Sequence, residues 1–141
     1  MERKSTDDLH QELQQSADLA SFLRENVDHF EDRGVPEMLN ELLETHGLSK
    51  AALAKNAGMS DVYIHQIFSG RRNPSRNRLI CLALGASATL EEAQGLLRRG
   101  GYSKLYPRVR KDAIILYGLE HRLSLVQVNE KLFDADEETL C

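Results

Sequence analysis

Apolar residues recur at spacings of three and four along most of this chain, and that period predicts an all-α fold. The first candidate helix covers residues 7–33. Leu9, Leu13, Ala20, Leu23, Val27 and Phe30 fall on one heptad-like seam, with Ser16 in its weakest slot. Such a seam serves either a paired copy or packing against a globular body, and three short heptads interrupted by serine and alanine favour packing. Gly34-Val35-Pro36 breaks the pattern, and proline suits the first turn of a following helix. That helix runs from about Pro36 to His46, with Met38, Leu39, Leu42 and Leu43 on its apolar face. Gly47 ends it and Ser49 caps the next.

The stretch from Leu48 to Pro74 is the most structured in its signals. Leu53, Ala54 and Ala57 share one helix face, and the small Ala54 lets another helix cross close above it. Gly58 sits where that helix must stop, and Ser60 caps a second helix. Ile64, Ile67 and Phe68 form the apolar stripe of this second helix. Asp61, Val62, His65, Gln66 and Ser69 are left on its outward face. Gly70 ends it, and Arg71 and Arg72 follow at once.

Further on, Ser75 opens a helix to about Leu84, stopped by Gly85. Thr89 and Glu92 make a capping box for a helix carrying Leu90, Ala93, Leu96 and Leu97, closed by Gly100-Gly101. A tyrosine-bearing loop leads to Pro107, which opens a helix through Glu120. Ser124 and Gln127 form a second capping box for a short helix with Leu125, Val128 and Leu132, and the acidic tail after Phe133 is expected to fray. His121-Arg122-Leu123-Ser124 echoes His46-Gly47-Leu48-Ser49, which reads as shared turn chemistry and not as a repeat. The expected organisation is an acidic N-terminal helix (1–34), a central five-helix unit (35–100) and a C-terminal helix pair (101–141) packed on or beside it.

Charge changes this picture more than composition does. The net charge of −4 looks wrong for a polyanion binder, but it is unevenly spread. Residues 1–48 carry 4 basic and 12 acidic side chains, residues 49–111 carry 12 and 3, and residues 112–141 carry 2 and 7. The three blocks are therefore −8, +9 and −5, a basic centre between acidic flanks, as expected if one face meets polyanion. No apolar run approaches the ~20 residues of a membrane helix, and the charged N-terminus lacks an apolar signal core, so a cytoplasmic location is expected. Cys81, in an apolar run, and Cys141 have neither CxxC nor zinc spacing.

The stretch resembles the helix-turn-helix of phage-repressor (Cro-like, XRE) proteins. The small, glycine and aliphatic slots of that pattern are matched by Ala54, Gly58, Ile64 and Ile67. The basic tail of the pattern is matched by Gly70, Arg71, Arg72, Asn73, Pro74 and Ser75. The likeness covers roughly Pro36 to Leu97, under half of the chain. It implies sequence-specific binding of double-stranded DNA by a bacterial or phage-type transcriptional regulator, acting as a homodimer. The helix 60–69 then enters the major groove with Asp61, Val62, His65 and Gln66 toward base edges. Lys50, Ser69, Arg71, Arg72, Asn73 and Arg76 are the expected phosphate contacts. Asp61 departs from the pattern, since a carboxylate repels phosphate. Stabilising the helix dipole accounts for it better than accepting from cytosine.

Catalysis is not expected. The five histidines include no i,i+4 metal pair, and Gly100-Gly101 lacks the lysine of a phosphate loop. No metal, cofactor or small-molecule ligand is implied. The rival reading is a protein-interaction module on the same fold without DNA binding, which gains if the acidic N-terminal segment covers the basic face; on the DNA-binding reading the same segment would act as a built-in competitor for DNA.

Overall fold

A computed structural model describes residues 4–26 and 34–141. Those residues form an all-α structure of nine helices: α1 (Thr6–Gln15), α2 (Leu19–Glu25), α3 (Val35–His46), α4 (Lys50–Ala57), α5 (Asp61–Phe68), α6 (Arg76–Gly85), α7 (Leu90–Arg99), α8 (Arg110–Glu120) and α9 (Leu125–Asp134). The central five-helix set is α3 to α7.

Helix α6 lies at the centre. Every residue from Leu79 to Gly85 is buried, so the helix is apolar all round, as a core helix must be. It packs on α4, α7 and α9. One continuous core holds Leu39 and Leu42 of α3, Leu53 of α4, Ile64 and Ile67 of α5, Leu96 of α7, Ile115 of α8 and Leu132 of α9. Gly85 was read above as a stop signal, but it lies inside the helix, which is capped by Ala86. Its glycine is needed for approach: a Cβ there would stand 2.9 Å from the Ala57 backbone nitrogen. Asn56 Nδ2 donates to the Gly85 carbonyl at 3.1 Å across the same crossing. Helices α3 and α7 are joined where His46 Nε2 meets Glu92 Oε1 at 2.9 Å.

The N-terminal segment departs from expectation. Instead of one long helix there are two, broken at residues 16–18. Ser16 is extended, and its hydroxyl donates back to the Glu12 carbonyl at 2.8 Å. Asp18 is extended too, and it caps α2 by accepting from Ala20 N–H and the Ser21 hydroxyl. Those same bonds, the Ser21 bond foremost, hold the Asp18 carboxyl below its ordinary range. Short polar side chains that bond their own backbone here outcompete helix continuation. The predicted seam is not buried: Leu13, Ala20 and Leu23 are exposed, whereas Phe22, off the seam, is buried. Val27 and Phe30 lie outside the described residues. Helices α1 and α2 pack chiefly on each other.

Two C-terminal expectations also change. Helix α8 starts at Arg110, not Pro107, because residues 107–109 make a turn. The tail does not fray. Leu140 is 5% exposed and belongs to the core, and its N–H donates to Asn129 Oδ1 at 2.9 Å. Asn129 Nδ2 in turn donates to Cys141 Sγ at 3.4 Å. The two echoing turns do share their chemistry. Leu48 N–H bonds the Leu43 carbonyl and Leu123 N–H the Gly118 carbonyl, each at 2.9 Å, and Ser49 and Ser124 cap the helices that follow.

Candidate nucleic-acid interface

Three local signals shape the α4–α5 unit. Ser49 Oγ accepts from Ala52 N–H to start α4. Gly58, at φ 68°, takes the left-handed conformation that turns the chain, and Met59 N–H bonds the Ala54 carbonyl across it. Ser60 Oγ then accepts from Tyr63 N–H at 3.1 Å to start α5. Burial of Ile64 and Ile67 fixes the rotation of α5 about its axis. With those two inward, Asp61, Val62 and His65 are exposed and Gln66 is half-exposed, so the four predicted base-reading residues share the outer face. Val62 is the most exposed apolar residue of this helix, at 68%.

The cations around this helix rest on aromatic rings. Arg78 Cζ lies 4.9 Å from the Tyr63 ring centroid and Arg72 Cζ 5.7 Å from it. Lys50 Nζ lies 4.9 Å from the Phe68 centroid. Each contact adds about 0.5–1 kcal/mol at an exposed site and, more importantly, limits where a flexible cation points. Tyr63 and Phe68 are partly buried against the core, so they anchor the cations to the fold. Arg78 stands with Arg76 among the cations expected at the start of α6, but the two ring supports were absent from the expected site. Tyr63 and Arg78 lie on different helices, so no local spacing in the sequence points to their contact.

Arg72 also bonds Gln66. Its Nε donates to Gln66 Oε1 at 2.8 Å, which leaves the Gln66 amide N–H groups to donate outward. The Gln66 backbone carbonyl meanwhile accepts from Arg71 and Arg72 N–H, and from the Ser69 hydroxyl at 3.1 Å. Arg71, Arg72 and Asn73 are exposed on the loop that follows.

Arg76 does not join this group. Its guanidinium is committed inward, NH1 donating to Asp112 Oδ1 at 3.2 Å and NH2 to Asp112 Oδ2 at 3.1 Å. Its Nε and NH2 also donate to the Ser103 and Lys104 carbonyls. Asp112 is only 5% exposed and also accepts from Tyr106 N–H. The predicted phosphate role of Arg76 is thus replaced by a tie between α6 and the C-terminal extension, made across 36 residues of sequence.

Among the described residues no cluster of histidine, cysteine or acidic side chains has metal-holding geometry, and no helix is long and apolar enough to cross a membrane. Helices α1 and α2 make no substantial packing contact with α4 or α5. Residues 39–84 match the family described as Helix-turn-helix, of the Cro/XRE type, a segment that spans α3 to α6 almost whole. No curated protein and no solved structure matched the chain.

Proposed function

We propose that this chain, which carries a helix-turn-helix domain of the Cro/XRE type, is a sequence-specific regulator that binds double-stranded DNA through α5. The observation that carries the reading is the cation frame around an outward polar helix. Lys50, Arg72 and Arg78 are held on Phe68 and Tyr63, and Arg71 and Asn73 are exposed beside them. The N-terminal half of α5 enters the major groove. Val62 meets a thymine methyl, Gln66 donates through its amide, and His65 donates to guanine or phosphate. Lys50, Ser69, Arg71, Arg72, Asn73 and Arg78 hold the backbone. Four of these are charged, and they contribute about −3.6 per subunit to the salt slope at about −0.9 per phosphate. One recognition helix covers a small footprint, so two copies on a palindromic site are proposed, with half-sites about one helical turn apart.

Selection from genomic DNA fragments with purified protein tests this reading. The wild type should enrich a palindromic site, and Arg71→Ala/Arg72→Ala should not. No enrichment by the wild type at low salt overturns it and favours the protein-interaction module.

A further inference from the structure

The geometry points to a second phosphate-binding element, the segment 103–111, which extends the contact of the helix-turn-helix along the same duplex. This inference rests on the DNA-binding reading. The segment reads SKLYPRVRK and holds four cations, Lys104, Arg108, Arg110 and Lys111, with no acid. The next acid is Asp112, and it is turned inward to Arg76.

The segment is fastened to the polypeptide just beyond the cation loop of α5. Tyr102 donates its hydroxyl to the Pro74 carbonyl at 2.9 Å, one residue after Asn73. Arg76, the first residue of α6, binds the carbonyls of Ser103 and Lys104 at 3.1 Å each. Gln94 grips Leu105 from the other side, accepting from its N–H at 2.8 Å and donating to its carbonyl at 3.0 Å. Leu105 itself is buried in the core. These bonds take up backbone groups and leave the charged heads of Lys104, Arg108 and Arg110 exposed, with Lys111 half-exposed.

Like charges this close repel, and a merely solvated loop would relieve that by spreading or by pairing. Here the backbone is pinned on both sides, and the ion pairs among the described residues are Lys4–Glu12, His46–Glu92 and Arg76–Asp112, none of which uses these cations. Tyr106, 55% exposed between Lys104 and Arg108, offers a hydroxyl to the same phosphates. A run of unpaired cations held at the end of the loop that follows α5 suits a duplex backbone, which carries one charge per roughly 1.7 Å of axis. These residues fix no sequence preference. They add affinity and set the extent of the footprint.

The test compares wild type, Lys104→Ala/Arg108→Ala/Arg110→Ala/Lys111→Ala and Arg71→Ala/Arg72→Ala on a duplex carrying the selected site with flanks. Binding is measured over a range of salt and followed by hydroxyl-radical footprinting. None of the four substituted side chains makes a packing or hydrogen-bonding contact described above, and a matching melting curve confirms the fold of the variant. The quadruple variant should lower the salt slope by about 2–4 units, near one per lost phosphate contact. It should weaken binding to all sequences alike and lose protection only at the outer edge of the footprint. A quadruple variant with the wild-type slope and footprint overturns the inference while leaving the α5 reading intact. A wild type that binds no duplex overturns both.

Discussion

The tie between Arg76 and Asp112 gives the sharpest quantitative expectation. Arg76→Ala leaves a carboxylate that is 5% exposed with one remaining donor, Tyr106 N–H, and it strips two loop carbonyls of their partner. Breaking a buried pair from one side costs about 3–5 kcal/mol. The Arg76 side chain is 25% exposed, so water screens part of that, and about 3 kcal/mol is expected. Asp112→Ala leaves the cation, which can turn to water, and should cost about 2 kcal/mol. The double variant removes both charges together. It should cost about 3 kcal/mol and not the sum, a coupling of about 2 kcal/mol. Urea unfolding of the four proteins measures the cycle, with unchanged denaturant slope as the check that the unfolded states match. Arg76→Ala costing less than about 1 kcal/mol, or additive single effects, would refute the tie. Arg76 would then be a surface cation and would return to the phosphate set.

Four other expectations follow from single sites. Gly85→Ala forces a Cβ to within 2.9 Å of the Ala57 backbone nitrogen, so α4 and α6 must part at a cost of about 1–3 kcal/mol; an unchanged melting temperature refutes the close crossing. Burial by itself would raise the Glu92 carboxyl, but the Thr89 N–H and His46 outweigh it and hold it below 4.5. The stability this gives is present above the unfolded value and is lost as pH falls through the depressed one, so Glu92→Gln should be less stable at neutral pH and converge with wild type below 4.5. Burial first, and then the neighbouring Cys141, push the Cys81 thiol up to about 12, so a thiol reagent should find one fast sulfur in the native chain and a second only in denaturant. Asp61→Asn removes the one acid of the α5 first turn, and in a gel-shift titration it should bind nonspecific duplex several-fold more tightly; equal binding would mean that Asp61 is remote from the phosphates.

Local signals in the sequence were read successfully because their causes are local. Ser49, Ser60, Ser75, Thr89 and Ser124 each cap the helix they precede, and a cap needs only its own next three residues. The outward set on α5 follows from the helical period once Ile64 and Ile67 are inward. The described part of the seam, Leu9 to Leu23, fails for a related reason: periodicity scores apolar residues and takes no account of Ser16 and Asp18 bonding the backbone between them. What periodicity cannot carry is pairing at a distance. Arg76 with Asp112, Asn129 with the tail, and Tyr63 under Arg78 are settled by which helices meet. Until α8 docks on the core, Arg76 looks like any other cation at a helix start.

That reassignment alters how the charge pattern bears on function. The basic block was first credited to the loop after α5 and the start of α6. Inward use of Arg76 takes one cation from that loop, yet the same bonds hold 103–111 against Pro74 and the start of α6. One buried pair therefore converts two basic stretches, far apart in sequence, into neighbours. The acids concentrate in the flanking sequence: eleven of the chain's 22 lie in residues 1–43 and six in residues 120–141. On the DNA-binding reading, a chain of net charge −4 whose central stretch, residues 49–111, carries 12 basic and 3 acidic side chains is drawn to DNA through that stretch and repelled through its acidic flanks. On that reading the separation favours encounters with α5 foremost, and it limits the indiscriminate binding that a uniformly basic protein of this size would suffer. On the same reading Asp61, in the first turn of α5, acts in the same sense at shorter range. There its carboxylate would penalise any approach that sets it against phosphate, and would be tolerated where a cytosine amine can donate to it.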